Sequence, residues 1–581
     1  MKKVLKYLKP YTWMIIICVI FTFGQAMLDM YLPDLMSDIV NNGIVGQSLD
    51  EVYRYGRYML YATVGFMVCA ICATFLASKV ATGFARKLRD AIYSKVNKFS
   101  LTEFNKLSTS SLITRTTNDV VQVQQLTFMS MRMMLMAPLM CIGGIIMAFS
   151  KAKELSWLFV VVIPLLLVAI ILLARKIIPL FTKLQECLDK INQVVREKLS
   201  GVRVIRAFAT QKHEAKRYDD ANKNIYDVSL KAAYRMAILM PIVMFIINFS
   251  TVVILWSGSH LIDAGTMQIG DMMAFMEYAI QVLFSILGVT MIFIMIPRAM
   301  VSVRRINEVL ETESTIVDNG KEVGIPNPGE IEFKNATFQY VDGDLPVLSN
   351  MNFKIHKGET VAILGPTGCG KTTLLNLMMR FFDITEGEVK VGGVNVKDMS
   401  LEQLRSMIGY VPQKAVLFSG TIESNIKYGK QDATEEEVIE AAKISQSYDF
   451  IDSLDEKFNA PVAQGGTNFS GGQKQRLSIA RAIVKKPQIY MFDDSFSALD
   501  YETDKRLREA LDLNMKEATV VIVAQRVSTV LNADKILFID NGEIIAQGTH
   551  QELYESCPEY RDVVLSQITE EEAISNGKKR D

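Results

Sequence analysis

The chain has 581 residues, half of them apolar, with 63 lysines and arginines against 63 aspartates and glutamates. A mean hydropathy of +0.19 is high for a soluble chain of this length and predicts buried membrane spans. The balanced charge speaks against a nucleic-acid binder, the apolar content excludes disorder, and seven cysteines, whose only CxxC (Cys69 and Cys72) lies in an apolar run with no second pair, and four histidines disfavour a disulfide framework or a zinc site.

In chain order, the N-terminal MKKVLKYLKP fits an interfacial helix, with Val4, Leu5 and Leu8 toward lipid and the lysines toward headgroups. A basic tail is the plainer alternative. Apolar runs then predict six spans, at about 11–34, 58–80, 128–150, 155–175, 236–262 and 272–297. Segments 79–127 and 175–235 carry 22 lysines and arginines against 10 acids, whereas the alternate connections carry 4 against 6. By the positive-inside rule the first set and both termini face the cytoplasm, in the cytoplasmic membrane. Helix-forming stretches such as KLQECLDKINQVVREKL predict that the two long connections are helical extensions of the spans. The transmembrane domain is therefore 1–310. Residues 311–330, rich in glycine and proline, read as a linker. From 331 to 567, short β-rich runs alternate with helical ones, the pattern of a mainly parallel α/β domain. A polar tail occupies 568–581.

Within that domain, Gly365-Pro366-Thr367-Gly368-Cys369-Gly370-Lys371-Thr372-Thr373 follows the strand-like VAIL and opens the helical TLLNLMM. Glycines in such a loop let backbone N–H groups point at phosphate oxygens. Lys371 neutralises the outer phosphates, and the Thr372 hydroxyl can reach Mg²⁺.

Further motifs carry a resemblance. Asn468-Phe469-Ser470-Gly471-Gly472-Gln473 before KQRLSIARAI resembles the signature of ATP-binding-cassette (ABC) proteins. IYMFDD ending at Asp493-Asp494 resembles their Walker B strand, and Ser497 to Asp500 their D-loop. Gln413 in YVPQ matches the Q-loop, and Tyr340 in ATFQY the aromatic that stacks on adenine. Six spans before one such domain is similar to an ABC exporter half-transporter, over about residues 1–565. The resemblance implies a six-helix transmembrane domain fused to a P-loop α/β nucleotide-binding domain, with ATP and Mg²⁺ as ligands. It implies Thr372, Gln413 and Asp493 as the metal-site residues, and coupling helices near 107–115 and 207–213. It also implies a dimer, because each ATP lies between one Walker A and the opposite signature.

Two positions depart from that pattern. Asp494 stands where the family has the glutamate that activates water, and Gln525, in VIVAQRVST, stands where it has the switch histidine. The shorter carboxylate is retracted by about 1.5 Å, and a misplacement of ~1 Å can cost about a hundredfold. Glutamine can donate to the γ-phosphate but cannot become cationic. Gln464 also replaces a customary glutamate before the signature. Together these resemble the degenerate-site subunit of bacterial heterodimeric multidrug exporters, so the expected partner is a non-identical half-transporter with intact catalytic Glu and switch His. A homodimeric lipid or drug flippase and an ATP-binding regulatory subunit are the alternatives.

Polar groups in or beside the spans are the candidates for a substrate cavity or gate: Gln25, Asp29, Asn248 and Glu277, with Arg132 and Gln281. The methionines at 129, 131, 133, 134, 136, 291 and 295 and the phenylalanines at 245, 249, 284 and 293 suit either an adaptable apolar pocket or ordinary lipid-facing packing. Hydrophobic or amphiphilic compounds are the expected cargo.

Overall fold

The computed structural model describes residues 2–318, 320–341 and 343–576. Packing divides the chain into two units, one made of Met1–Asn97 with Ser110–Thr312 and the other of Lys98–Thr109 with Glu313–Asp581.

The first unit is helical. Its long helices are α1 (Thr12–Asp38), α2 (Leu49–Val96), α4 (Val120–Lys151), α5 (Trp157–Ser200), α6 (Gln211–Asp263) and α7 (Ile269–Glu311). Six helical stretches among the described residues are long and apolar enough to cross a membrane. Helices such as α2 and α6, with 48 and 53 residues, far exceed the ~20 residues that a bilayer core requires. Their polar, helix-forming ends continue without a break, as the connecting sequences implied.

Small residues let α1, α4 and α7 approach closely. A Cβ on Gly144 would stand 2.7 Å from Val282, and one on Gly143 2.4 Å from Met30. Tyr278, fully buried, donates its hydroxyl to the Met30 carbonyl at 2.9 Å. Near the far ends of these helices Lys151 bridges Asp34 at 2.6 Å and Asp271 at 3.3 Å, and Ser37 also donates to Asp271 at 2.8 Å. One cation thus ties three helices together.

The second unit holds two main sheets and a small antiparallel pair, Gly420–Thr421 with Pro461–Val462. In the four-stranded antiparallel sheet, β1 (Ile331–Phe338) lies between β2 (Leu348–Ile355) and β4 (Glu386–Val391), with Val394–Asn395 at the edge. In the six-stranded sheet the order is β9 (Glu543–Gly548), β8 (Lys535–Asp540), β3 (Thr360–Leu364), β7 (Thr519–Val523), β6 (Ile489–Asp493) and β5 (Ile408–Val411). All pairs but β8–β9 are parallel. Every residue of β6 and β7 is buried, because helices cover both faces of a parallel sheet and leave no polar side. Crossovers put α8 (Lys371–Met378) after β3, and α9 (Gly471–Ile483) and α10 (Tyr501–Asn514) around β6. The C-terminal α11 (Pro558–Leu565) and α12 (Glu570–Asn576) close the unit.

The short helix α3 (Leu101–Leu107) lies in segment 98–109, which packs with the second unit although it interrupts the first in sequence. A capping box starts α3, with Ser100 accepting from Thr102 and Glu103 Oε2 accepting from the Ser100 N–H at 2.7 Å. Glu103 Oε1 also accepts from Thr315 N–H at 3.2 Å, and the Ser100 and Thr315 hydroxyls lie 2.9 Å apart. Burial pushes the Glu103 carboxyl up, but the hydrogen bonds from Ser100 and Thr315 outweigh it and hold the group below its ordinary value. Short helices stand at Leu101–Leu107 and Thr109–Thr114, the second inside the expected 107–115, and at Val202–Ala207, just before the expected 207–213. Glu103→Ala should lower the melting temperature by about 2–4 °C, given ~1 kcal/mol or more for a lost cap, and speed tryptic cleavage at Lys98 and Lys106. Unchanged cleavage would contradict this anchoring role.

Candidate nucleotide site

The phosphate loop is shaped by its glycines. Gly368 and Gly370 take φ of +92° and +98°, a region costly for residues with a Cβ. A Cβ on Gly365 would stand 2.1 Å from the Ile539 carbonyl oxygen of β8, so only glycine allows the loop to leave β3 at that angle. Pro366, Thr367 and Gly368 form an exposed tip, while Cys369 is buried beneath it. Burial pushes the Cys369 thiol up, against the lowering charge of Lys371.

Lys371 is buried and curls back to donate to the carbonyls of Gly365 and Pro366, at 2.6 and 2.7 Å. Its ammonium therefore sits in the arch of the loop, beside the N-terminus of α8. Amides, a helix N-terminus and an ammonium make an anion site suited to a chain of phosphates.

Thr372 donates to Asp493 Oδ1 at 3.0 Å, and the Tyr410 hydroxyl donates to Asp493 Oδ2 at 3.4 Å. Burial pushes the Asp493 carboxyl above its ordinary value against the hydrogen bonds of Thr372 and Tyr410, and the neighbouring Asp494 charge adds to the rise. A hydroxyl beside a desolvated carboxylate is a hard oxygen donor set, and it fits Mg²⁺.

Asp494 has a left-handed backbone, φ +46°, a conformation in which aspartate is among the better-tolerated residues. Its N–H donates to the Val523 carbonyl at 3.0 Å and its own carbonyl accepts from the Ser497 hydroxyl at 2.9 Å. Two amides converge on one of its carboxylate oxygens. Gln413 Nε2 donates to Oδ2 at 3.2 Å and Gln525 Nε2 donates to the same atom at 3.0 Å. The two departures from the family pattern are thus in contact with each other and with the Q-loop glutamine.

Tyr340 stands edge-on to Phe338 and Phe382, at 4.8 and 5.3 Å between ring centres, and its hydroxyl lies 2.9 Å from that of Thr373. These contacts fix a half-exposed ring beside the phosphate loop, where a purine can stack.

The signature residues form a different surface. Ser470 caps α9 by accepting from Gln473 N–H at 3.2 Å, while Gln473 Oε1 accepts from Ser470 N–H at 2.9 Å. Ser470 and Gly471 are exposed, and Phe469 packs inward against Phe450 at 6.4 Å. Asp500 likewise caps α10 through Thr503 N–H at 3.0 Å. Among the described residues Ser470 bonds only within its own turn, and its helix N-terminus is exposed.

Among the membrane candidates, Gln25 is buried and accepts from Arg132 Nη1 at 2.9 Å. That bond links the two side chains between α1 and α4. Asp29 is half-buried and feels the charge of the exposed Glu277, and Asn248 is exposed. Phe245 and Phe249 are exposed and stack on each other at 6.0 Å, and Phe284 is also exposed. The side chains of Met291, Phe293 and Met295, and the residues after 576, lie outside the described residues.

Sequence reasoning missed Tyr410, although its place two residues before Pro412-Gln413 was a usable signal. It also missed Arg508 and Gln567, which touch the loop after Gln525 from remote positions.

Comparison with known proteins places these features in context. Residues 15–287 match the family model described as the ABC transporter transmembrane region, and residues 348–497 match the one described as ABC transporter. An uncharacterised ABC transporter ATP-binding protein of Mycobacterium tuberculosis is 39% identical over 97% of this chain and 97% of its own length. An ATP-dependent lipid A-core flippase of Syntrophus aciditrophicus is 32% identical over 94% of this chain and 92% of its own. In structure, the chain is similar to a bacterial Atm1-family ABC exporter with ATP bound, with a TM-score of 0.79, 22% identity, and 97% and 99% of the two chains covered.

Proposed function

Because the chain belongs to the ABC transporter family, as a multi-pass membrane protein with an exporter fold and an ATP-binding domain, we propose that it exports hydrophobic or amphiphilic compounds as the slow-site half of a heterodimer. The observation that carries this reading is the Asp494 contact set. At that position a general base must reach the attacking water and accept its proton. Here the carboxylate oxygen receives two neutral amides, from Gln413 and Gln525. Neither can take up or pass on a proton. A carboxylate one methylene short, held by amides, favours holding ATP over cleaving it.

Binding rests mainly on other groups. The loop amides and Lys371 would receive the phosphates, Tyr340 the base, and Thr372 and Asp493 would hold Mg²⁺ with Gln413 nearby. When bound, the metal supplies charge neutralisation on the phosphate oxygens. The exposed N-terminus of α9, with Ser470 and Gly471, is then available to a second chain's ATP. Its composition is intact, so the partner's site gains a full signature from this chain. A partner would also cover the apolar tip around Val202–Ala207, where Leu199, Val204 and Phe208 are 71%, 60% and 75% exposed. Relatives named as lipid A-core flippases support an amphiphilic cargo. The connections 79–127 and 175–235 are assigned to the cytoplasm on their basic charge, and both termini with them because the spans are even in number.

The test is turnover of the purified chain alone and after co-expression with a half-transporter carrying Glu and His at the two altered positions. ATPase activity in membranes should be near background for the chain alone and rise at least about tenfold with the partner. Brisk turnover by the lone chain would favour the homodimeric flippase instead.

A further inference from the structure

The loop that carries Gln525 is gripped from outside the nucleotide site. Gln567 lies between α11 and α12, and its side-chain amide brackets Arg526. Oε1 accepts from the Val527 N–H at 2.8 Å, and Nε2 donates to the Gln525 carbonyl at 3.1 Å. Arg526 between them is extended, with φ −96° and ψ 127°, so the glutamine pairs with the loop as a neighbouring strand would. Val527 is fully buried and begins the turn Val527–Thr529, whose first N–H has no partner inside the turn. Gln567 supplies it.

The grip is itself anchored. The Gln567 N–H donates to the Val564 carbonyl at 3.0 Å, and Val564 is fully buried. Beyond it, buried His550 joins the two C-terminal helices, with Nδ1 2.7 Å from the Tyr560 hydroxyl and Nε2 3.2 Å from the Ala573 carbonyl. On the loop's other side Arg508 donates to the Ser528 carbonyl at 2.9 Å. From Gln525 the line ends at Asp494 Oδ2, 3.0 Å away.

We propose that Gln567 is a positioning residue that holds Gln525 toward the γ-phosphate, so that the docked C-terminal helices set how well this site tells ATP from ADP. This rests on the reading of Gln525 as the residue facing the γ-phosphate, and not on the site being slow. A displaced loop would withdraw Gln525 from a phosphate that only ATP has, and would leave the base, ribose and inner phosphates untouched.

The experiment uses the full-length chain in lipid nanodiscs at 4 °C, with any copurifying subunit retained. The chain is photolabelled with 8-azido-ATP, resolved by electrophoresis, and competed with ATP or ADP. Gln567→Ala and Gln567→Glu are compared with Gln525→Ala. The glutamate keeps an acceptor for Val527, loses the donor to Gln525 and sets a charge against its carbonyl, so two chemically different variants address one contact. ATP preference over ADP should fall about tenfold in both variants and in Gln525→Ala, as expected for one lost hydrogen bond to a charged group, with ADP competition unchanged. An unchanged ratio in the Gln567 variants overturns the proposal, whatever Gln525→Ala does. Equal weakening of ATP and ADP also overturns it, since that marks a merely structural role. Failure of the slow-site reading would appear in turnover and leave this ratio as it is.

Discussion

Ser470→Arg should stop the assembled transporter, lowering ATPase activity by about a hundredfold or more, while 8-azido-ATP labelling of the mutated chain stays at its wild-type level. The split follows from where Ser470 sits. It caps the exposed N-terminus of α9 through Gln473 and has no bond to Lys371, Thr372 or Asp493 among the described residues. Its hydroxyl and the helix N–H groups behind it form a donor surface of the kind that stabilises transferring phosphoryl charge, where losing one donor costs on the order of a hundredfold or more. An arginine there blocks close approach of a second nucleotide. Lost capping costs the fold only ~1 kcal/mol, and the side chain is exposed, so the domain should remain folded. A variant that loses its own labelling would mean that Ser470 serves its own site, and one with normal turnover would remove the signature from the reaction. The regulatory-subunit alternative predicts the latter.

How far such roles could be seen in the amino-acid sequence depends on how local they are. The phosphate loop was legible because its chemistry is written in nine consecutive residues between a strand and a helix. The six spans were legible from composition alone, since a bilayer leaves few other uses for long uncharged runs. Contacts made across the fold were not. Thr372 and Asp493, 121 residues apart, were paired only through the order of known motifs, and Gln567 reaches Val527 across 40 residues with no local pattern to announce it. The α3 segment looked like part of the transmembrane domain because it lies between membrane helices. Its capping box and the Glu103 contact with Thr315 instead place it with the second unit. The bond between Gln25 and Arg132 of a neighbouring helix was equally hidden: a polar residue in a span is a reasonable cavity candidate, but sequence alone cannot say which polar groups will find each other.

The Asp494 series separates the slow site from a merely altered one. Asp494→Asn should change turnover of the heterodimer by less than about twofold, whereas Glu→Gln at the matching partner position should lower it by about a hundredfold. Asparagine is among the residues that tolerate a left-handed φ such as the +46° here, and its amide oxygen can still accept from Gln413 and Gln525. The substitution therefore removes the negative charge with little disturbance of the fold. If Asp494 were a working base, that loss would be ruinous, because a neutral amide cannot take a proton from water. The converse variant asks whether the missing groups are the cause. Asp494→Glu with Gln525→His, made where the partner's glutamate has been replaced, should recover about tenfold of phosphate release. Glutamate regains the lost methylene but fits the left-handed backbone less well, at a cost of ~1 kcal/mol, which limits the recovery. Loss of turnover with Asp494→Asn alone would instead make aspartate the base of this ATPase, and two such sites in a homodimer would then account for transport.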